Sequence, residues 1–178
     1  DNSVLFKGRI ETLLKNGVGG LALVFIVLVL FLRPKLAMWV CMGIAVAFMG
    51  TLFVLQYTGI SLNMLSLFAF LLILGIVVDD AIIVSESIHS RQMMGDAGSK
   101  GALVGAHSVV KPVMYAVIST MIFFVPMLVM PGNMASMAVS IPVVVILALA
   151  FSLVESLWIL PSHLAHMKPP KPSRYQFV

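Results

Sequence analysis

The sequence predicts an all-α integral membrane protein, a bundle of five spans, and three observations predict it. Hydrophobic residues make up 61% of the 178 and charged ones only 10%, a composition suited to lipid rather than water. The apolar residues gather into five runs, each near the ~20 residues that a helix needs to cross ~30 Å of hydrocarbon. Nearly all of the charge lies outside these runs, in the connections and at the two ends of the chain.

Residues 1–16 set Val4, Leu5, Ile10, Leu13 and Leu14 at helical spacing among Lys7, Arg9, Glu11 and Lys15. That is the pattern of an amphipathic approach helix at the interface. The first span is 17–32, closed by the basic turn Arg33-Pro34-Lys35. The second is 36–57, with Trp39 and Tyr57 near its two ends as interface anchors. After the turn Thr58-Gly59-Ile60-Ser61 comes the third, 62–84. Its helix runs on past Ser85 to Arg91, which opens a connection over 85–112. Gly95-Asp96-Ala97-Gly98 breaks that helix, Ser99 caps the next, and 99–111 is expected to lie along the membrane surface. Pro112 marks entry to the fourth span, 113–130. The fifth, 137–160, stops at Pro161, and a basic, proline-rich tail occupies 161–178. Pro126 and Pro142 are expected to kink their helices. The chain opens at Asp1 without a basic-then-apolar leader, so it reads as an excerpt of a longer protein.

Five spans put the termini on opposite sides. The side with the 33–35 turn, the 85–112 connection and the tail holds eight of the eleven Lys and Arg; the other three lie in the approach helix. By the positive-inside rule the C-terminal side is cytoplasmic. The net charge of +4 therefore reports orientation, and no nucleic-acid partner follows from it. Cys41 is the lone cysteine, so neither a disulfide nor a metal framework can be built. His89, His107, His163 and His166 fall in or near cytoplasmic segments and give only a weak metal signal. No nucleophile–base pair, metal set or phosphate loop is visible, which argues against an enzyme and against any bound cofactor. Whatever this piece does, it does within the bilayer.

The chemistry centres on Leu74-Gly75-Ile76-Val77-Val78-Asp79-Asp80-Ala81-Ile82-Ile83-Val84. If Glu86 and Arg91 mark the interface, the paired aspartates lie roughly 9–10 Å inside it at 1.5 Å per residue. Carboxylates at that depth cost ~3 kcal/mol each and are rare without a task. Asp is too short to snorkel far, so the pair reads as a protonatable site in the bilayer. Desolvation and the sibling carboxylate both disfavour a second charge, and the two titrations are coupled. Neighbours on a helix point ~100° apart, so the two cannot face the same spot. Glu155, beside Ser152 and Ser156, is a second intramembrane acid; a helix-end polar residue and a role in proton access both fit it. Gly75, like Ala69 and Ser66, supplies a small side chain for close helix approach.

The stretch Gly75-Ile-Val-Val-Asp79-Asp80-Ala-Ile-Ile-Val-Ser-Glu86 resembles the fourth transmembrane helix of the resistance-nodulation-division (RND) efflux transporters of Gram-negative bacteria. Lys111-Pro112-Val113 with Ser119-Thr120 and Phe124-Val125-Pro126 looks like the fifth, and Ile159-Leu160-Pro161-Ser162-His163-Leu164 resembles the close of the sixth. The resemblance implies helices two to six of a twelve-span fold in the bacterial inner membrane, a multi-pass drug/proton antiporter driven by the proton-motive force. It also implies a homotrimer, with a periplasmic adaptor and an outer-membrane channel as partners. Asp79 and Asp80 would form the acidic half of its proton relay, completed by a lysine on the tenth helix, in the remainder of the polypeptide. Thr120 resembles a polar position of the fifth helix, though a hydroxyl bonding its own backbone explains it equally simply. Two alternatives stay open: a related RND-type protein or lipid exporter, and a non-transporting assembly or sensor module.

Overall fold

A computed structural model describes residues 11, 15, 18–20, 22–30, 33–60, 62–96, 98–129 and 139–166. Every element among them is helical. They are α1 (Val18–Leu30), α2 (Pro34–Leu55), α3 (Met64–Met93), α4 (Gly98–Leu128) and α5 (Ser140–Val154). A π turn over Glu155–Ile159 then leads into α6 (Leu160–Ala165). Four stretches are long and apolar enough to cross a membrane: Pro34–Leu55, Met64–Met93, Gly98–Leu128 and the continuous Ser140–Ala165. The chain is an all-α, multi-pass membrane protein. Of the expected first span, the described part is Val18–Leu30, an apolar helix shorter than a full crossing. The approach over 1–16 lies outside the described residues except for helical Glu11 and Lys15, as do the 131–133 turn and the tail beyond His166.

Local chemistry sets the helix ends. Arg33 is extended at ψ 141°, the conformation that a following proline imposes, and Pro34 opens α2 where its missing N–H is not needed. Asn63 caps α3: its Oδ1 accepts from the backbone N–H of Leu65 and Ser66, both at 2.9 Å. Ser66 Oγ reciprocates by accepting from Asn63 N–H at 2.8 Å, which completes a capping box. At the far end Asp96 N–H reaches back to Arg91 O and Gly95 N–H to Gln92 O, at 3.2 and 3.3 Å. This is a Schellman close, and Gly95 at φ 105° supplies the left-handed residue that it requires.

Three expectations about prolines and helix breaks are corrected. The connecting segment 99–111 does not lie apart from the fourth span; it is the first half of α4, which begins at Gly98 and runs through Pro112. Pro112 and Pro126 both sit inside α4, and the chain stays helical through each, as spans allow where neighbouring groups or a local adjustment of the ladder take up the freed carbonyl. Pro142 falls in the first turn of α5, so it kinks nothing there. Pro161 does not end its helix either. The wider π turn just before it loosens the ladder, and the chain stays helical to Ala165.

The bundle closes around α3, which packs against α2, α4, α5 and α6. Its buried residues form one stripe, Ser66, Ala69, Ile73, Val77, Asp80–Ala81, Val84–Ser85, Ile88 and Gln92, at the helical period. Small residues let neighbours approach it. Gly101, Ala102, Gly105 and Ala106 of α4 are all buried. A Cβ on Gly105 would lie 2.5 Å from Ile88 Cα and 3.0 Å from Ser87 O. Ser87 Oγ donates to Gly105 O at 2.8 Å and sits 2.9 Å from Ser108 Oγ. On α2, Gly50 leaves room for the Phe151 ring, 2.8 Å from where a Cβ would stand. Gly105→Ala in the full-length protein is expected to destabilise this crossing by about 1–3 kcal/mol. The readout is a melting temperature several degrees lower in detergent; an unchanged melt would mean that α3 and α4 do not cross at Gly105.

Candidate functional site

Asp80 stands on the buried stripe of α3 and is 5% exposed, whereas Asp79 is exposed. One residue of helix separates an interior acid from an outward one, as the ~100° step requires. Val77, Ala81 and Val84 surround Asp80 along the stripe, all buried. Its Oδ2 is shut away from solvent without a hydrogen-bond partner. Among the described residues the one ion pair is Lys100–Asp96, at 3.0 Å, so no Lys, Arg or His nitrogen lies within 4.0 Å of either acid. Burial without a partner disfavours charge on this oxygen.

Glu155 lies in the interior too. It is 4% exposed, and its carboxyl rests against Gly43 of α2, in space that any side chain at position 43 would fill. Ser152 and Ser156 share its side of the helix and are 1% and 0% exposed, and neither hydroxyl has a partner. Glu155 also opens the π turn: its carbonyl accepts from Leu160 N–H, five residues on.

Two hydrogen bonds fix the heights of the acids. Asn63 Nδ2 donates to Ser140 Oγ at 3.5 Å where α3 and α5 begin, and Gln92 Nε2 donates to Leu164 O at 3.1 Å near the ends of α3 and α6. The two helices therefore run parallel. Asp80 and Glu155 each stand roughly three-fifths of the way between these ties, level to within about a turn of helix.

The other candidates lie elsewhere. Ser119 is exposed, and Thr120 Oγ1 donates to Ala116 O of its own helix at 3.0 Å. Gly75 is exposed, and a Cβ there would meet nothing within 4 Å, so the close approach expected at Gly75 is absent among the described residues. His163 stacks edge-on against Trp39 with ring centroids 4.2 Å apart. His163 and His166 each bond a carbonyl of their own helix. No three His, Cys, Asp or Glu side chains converge on a metal position among the described residues. Sequence reasoning missed Gly43; a glycine in mid-span, facing an acid in mid-span, was the available signal.

The AcrB/AcrD/AcrF family model matches residues 1–177. Swarming motility protein SwrC of Bacillus subtilis is 32% identical over 161 residues, covering 88% of this chain and 15% of that protein. Multidrug resistance protein MdtC of Yersinia enterocolitica is 33% identical over 177 residues, 99% of this chain and 17% of its own length. MdtC of Yersinia pestis is 33% identical over 172 residues, with shares of 92% and 17%. The chain thus spans about one-sixth of the length of these curated relatives.

Gly43→Ala is expected to cost about 1–3 kcal/mol by overpacking against the Glu155 carboxyl. Adding Glu155→Ala should recover most of that loss, a coupling that a double-mutant thermal melt measures directly. Additive effects would show that the two residues do not touch.

Proposed function

The chain belongs to the AcrB/AcrD/AcrF family of RND transporters, and from that premise we propose that it carries the acidic half of a proton relay, Asp79 and Asp80, in a proton-driven exporter. The observation that carries this reading is Asp80 itself: a buried acid whose Oδ2 has no partner, in a span where such a group is costly. The exposed Asp79 beside it is open to a cationic side chain from outside these helices, the role that the family resemblance gives to a lysine on another helix. Protonation removes the charge, weakens the hold on that cation and lets the helices shift. A gradient of protons can then bias two arrangements of the bundle, which is what antiport needs.

The substrates would be drug-like organic compounds, since the MdtC relatives are named for multidrug resistance. A homotrimer in the inner membrane of a Gram-negative bacterium, with an adaptor and an outer-membrane channel, completes the proposal. Proton-motive force is its energy source and no bound cofactor is needed.

In the full-length protein, Asp79→Asn and Asp80→Asn should each reduce efflux of ethidium from energised cells to background. Membrane protein levels should stay normal, because Asn keeps the shape of Asp. Undiminished export at normal levels would sink the relay. Orientation is tested separately: Ser99→Cys, with Cys41 replaced by Ala, should resist a membrane-impermeant maleimide in intact cells and react after lysis. Rapid labelling in intact cells would place the α3–α4 turn outside.

A further inference from the structure

The aspartate pair leaves one interior acid unused. Glu155 has a built seat: the bare Cα of Gly43 beneath its carboxyl, and on the same side of the helix the buried Ser152 and Ser156, whose hydroxyls have no hydrogen-bond partner. It also opens a π turn, a feature that concentrates at functional sites because it redirects one side chain out of the helical register. A carboxylate kept for structure is paired, since an unpaired charge in the interior is costly.

No pairing cation is present among the described residues. The π turn packs against α2, α3, α5 and α6. From α2 the titratable groups are Lys35 and Cys41, and from α6 His163. From α3 they are Asp79, Asp80, Glu86, His89 and Arg91. α5 itself brings none. None of the Lys, Arg or His nitrogens comes within 4.0 Å of Glu155, since the one ion pair is Lys100–Asp96. Asp80 is the acid that shares its level, by the two ties between α3 and α5. What the site offers is hydroxyls. A protonated carboxyl suits them, because its O–H can donate to a serine Oγ while its other oxygen accepts from one.

We infer that Glu155 is a second proton-binding carboxyl of the transport pathway, seated on Gly43 and level with Asp80 across the α3–α5 interface. Binding turns the carboxylate into a neutral acid and release restores it; no other bond changes. The place in transport rests on the relay reading above, whereas the proton site does not.

The test is infrared spectroscopy of the purified full-length protein in lipid, following the C=O stretch of protonated carboxyls as pH is varied. Glu155→Gln should remove a component that Asp80→Asn retains, and Asp80→Asn should remove a different one. Glu155→Asp should move the first component without abolishing it, a result that loss of fold would not give. If Glu155→Gln leaves the absorption unchanged, the inference is overturned whatever Asp80→Asn does. If Asp80→Asn alone changes nothing, the relay reading fails and the Glu155 site stands. Ethidium efflux by the same proteins supplies the second readout. Glu155→Gln should slow it roughly tenfold or more, with a shifted pH profile and recovery in Glu155→Asp. Unchanged efflux and pH profile would remove Glu155 from the pathway.

Discussion

The buried stripe of α3 is the constraint from which the rest of the bundle follows. Helices gain little from hydrophobic association inside lipid, so close packing and a few interhelical hydrogen bonds must hold them together. On α3 both are confined to one side, from Ser66 at the cap to Gln92 at the close. Asp80 stands on that stripe between Val77 and Val84, and rotating it outward would carry the whole stripe off its neighbours. The acid is held inside by contacts that lie above and below it, not by any bond of its own.

Glycine decides where the neighbours come closest, and it does so differently on the two sides. Against α4 the approach is backbone to backbone, with Gly105 against Ile88 and the Ser87–Gly105–Ser108 hydrogen bonds stitching the crossing. Between α2 and α5 it is backbone to side chain, with Gly43 receiving Glu155 and Gly50 receiving the Phe151 ring. The first arrangement fixes a hairpin. The second makes pockets in α2 for two particular side chains, Phe151 of α5 and Glu155 of the π turn.

Much of this was legible in the sequence, for identifiable reasons. The aspartate pair is legible because two carboxylates in an apolar run break the composition so sharply, and the 100° step already says that they must diverge. Which of the two turns inward was not legible. A span that is apolar on every side carries no stripe to read, so its inner face emerges only from packing. Gly43 was hidden for the same reason: its role exists only once α5 is placed against α2. The helix boundaries at Pro112 and Pro161 were misread through a rule learned from water-exposed helices. Inside a bundle the freed carbonyls can be accommodated by local adjustment of the ladder, as by the π turn before Pro161.

The π turn also bears on how the fifth helix stays packed along its length. Between the tie at Asn63–Ser140 and the tie at Gln92–Leu164, α3 has more residues to place than α5 does. Both pairs nevertheless meet, so the helices cannot be two straight rods in matching register. The extra residue per turn at Glu155–Ile159 lowers the rise per residue, so it does not make up that difference; what it changes is the facing of the chain below it. It does so at the residue whose carboxyl seats on Gly43. Upstream of that point Val144, Val145, Ala148, Leu149 and Ser152 face the core; downstream, Leu160 and Leu164 do. A regular helix would let those two sets drift apart around the axis, and the π turn corrects the drift. The same irregularity that keeps the helix packed along its length begins at Glu155, which the regular spacing from Val144, Ala148 and Ser152 already turns inward.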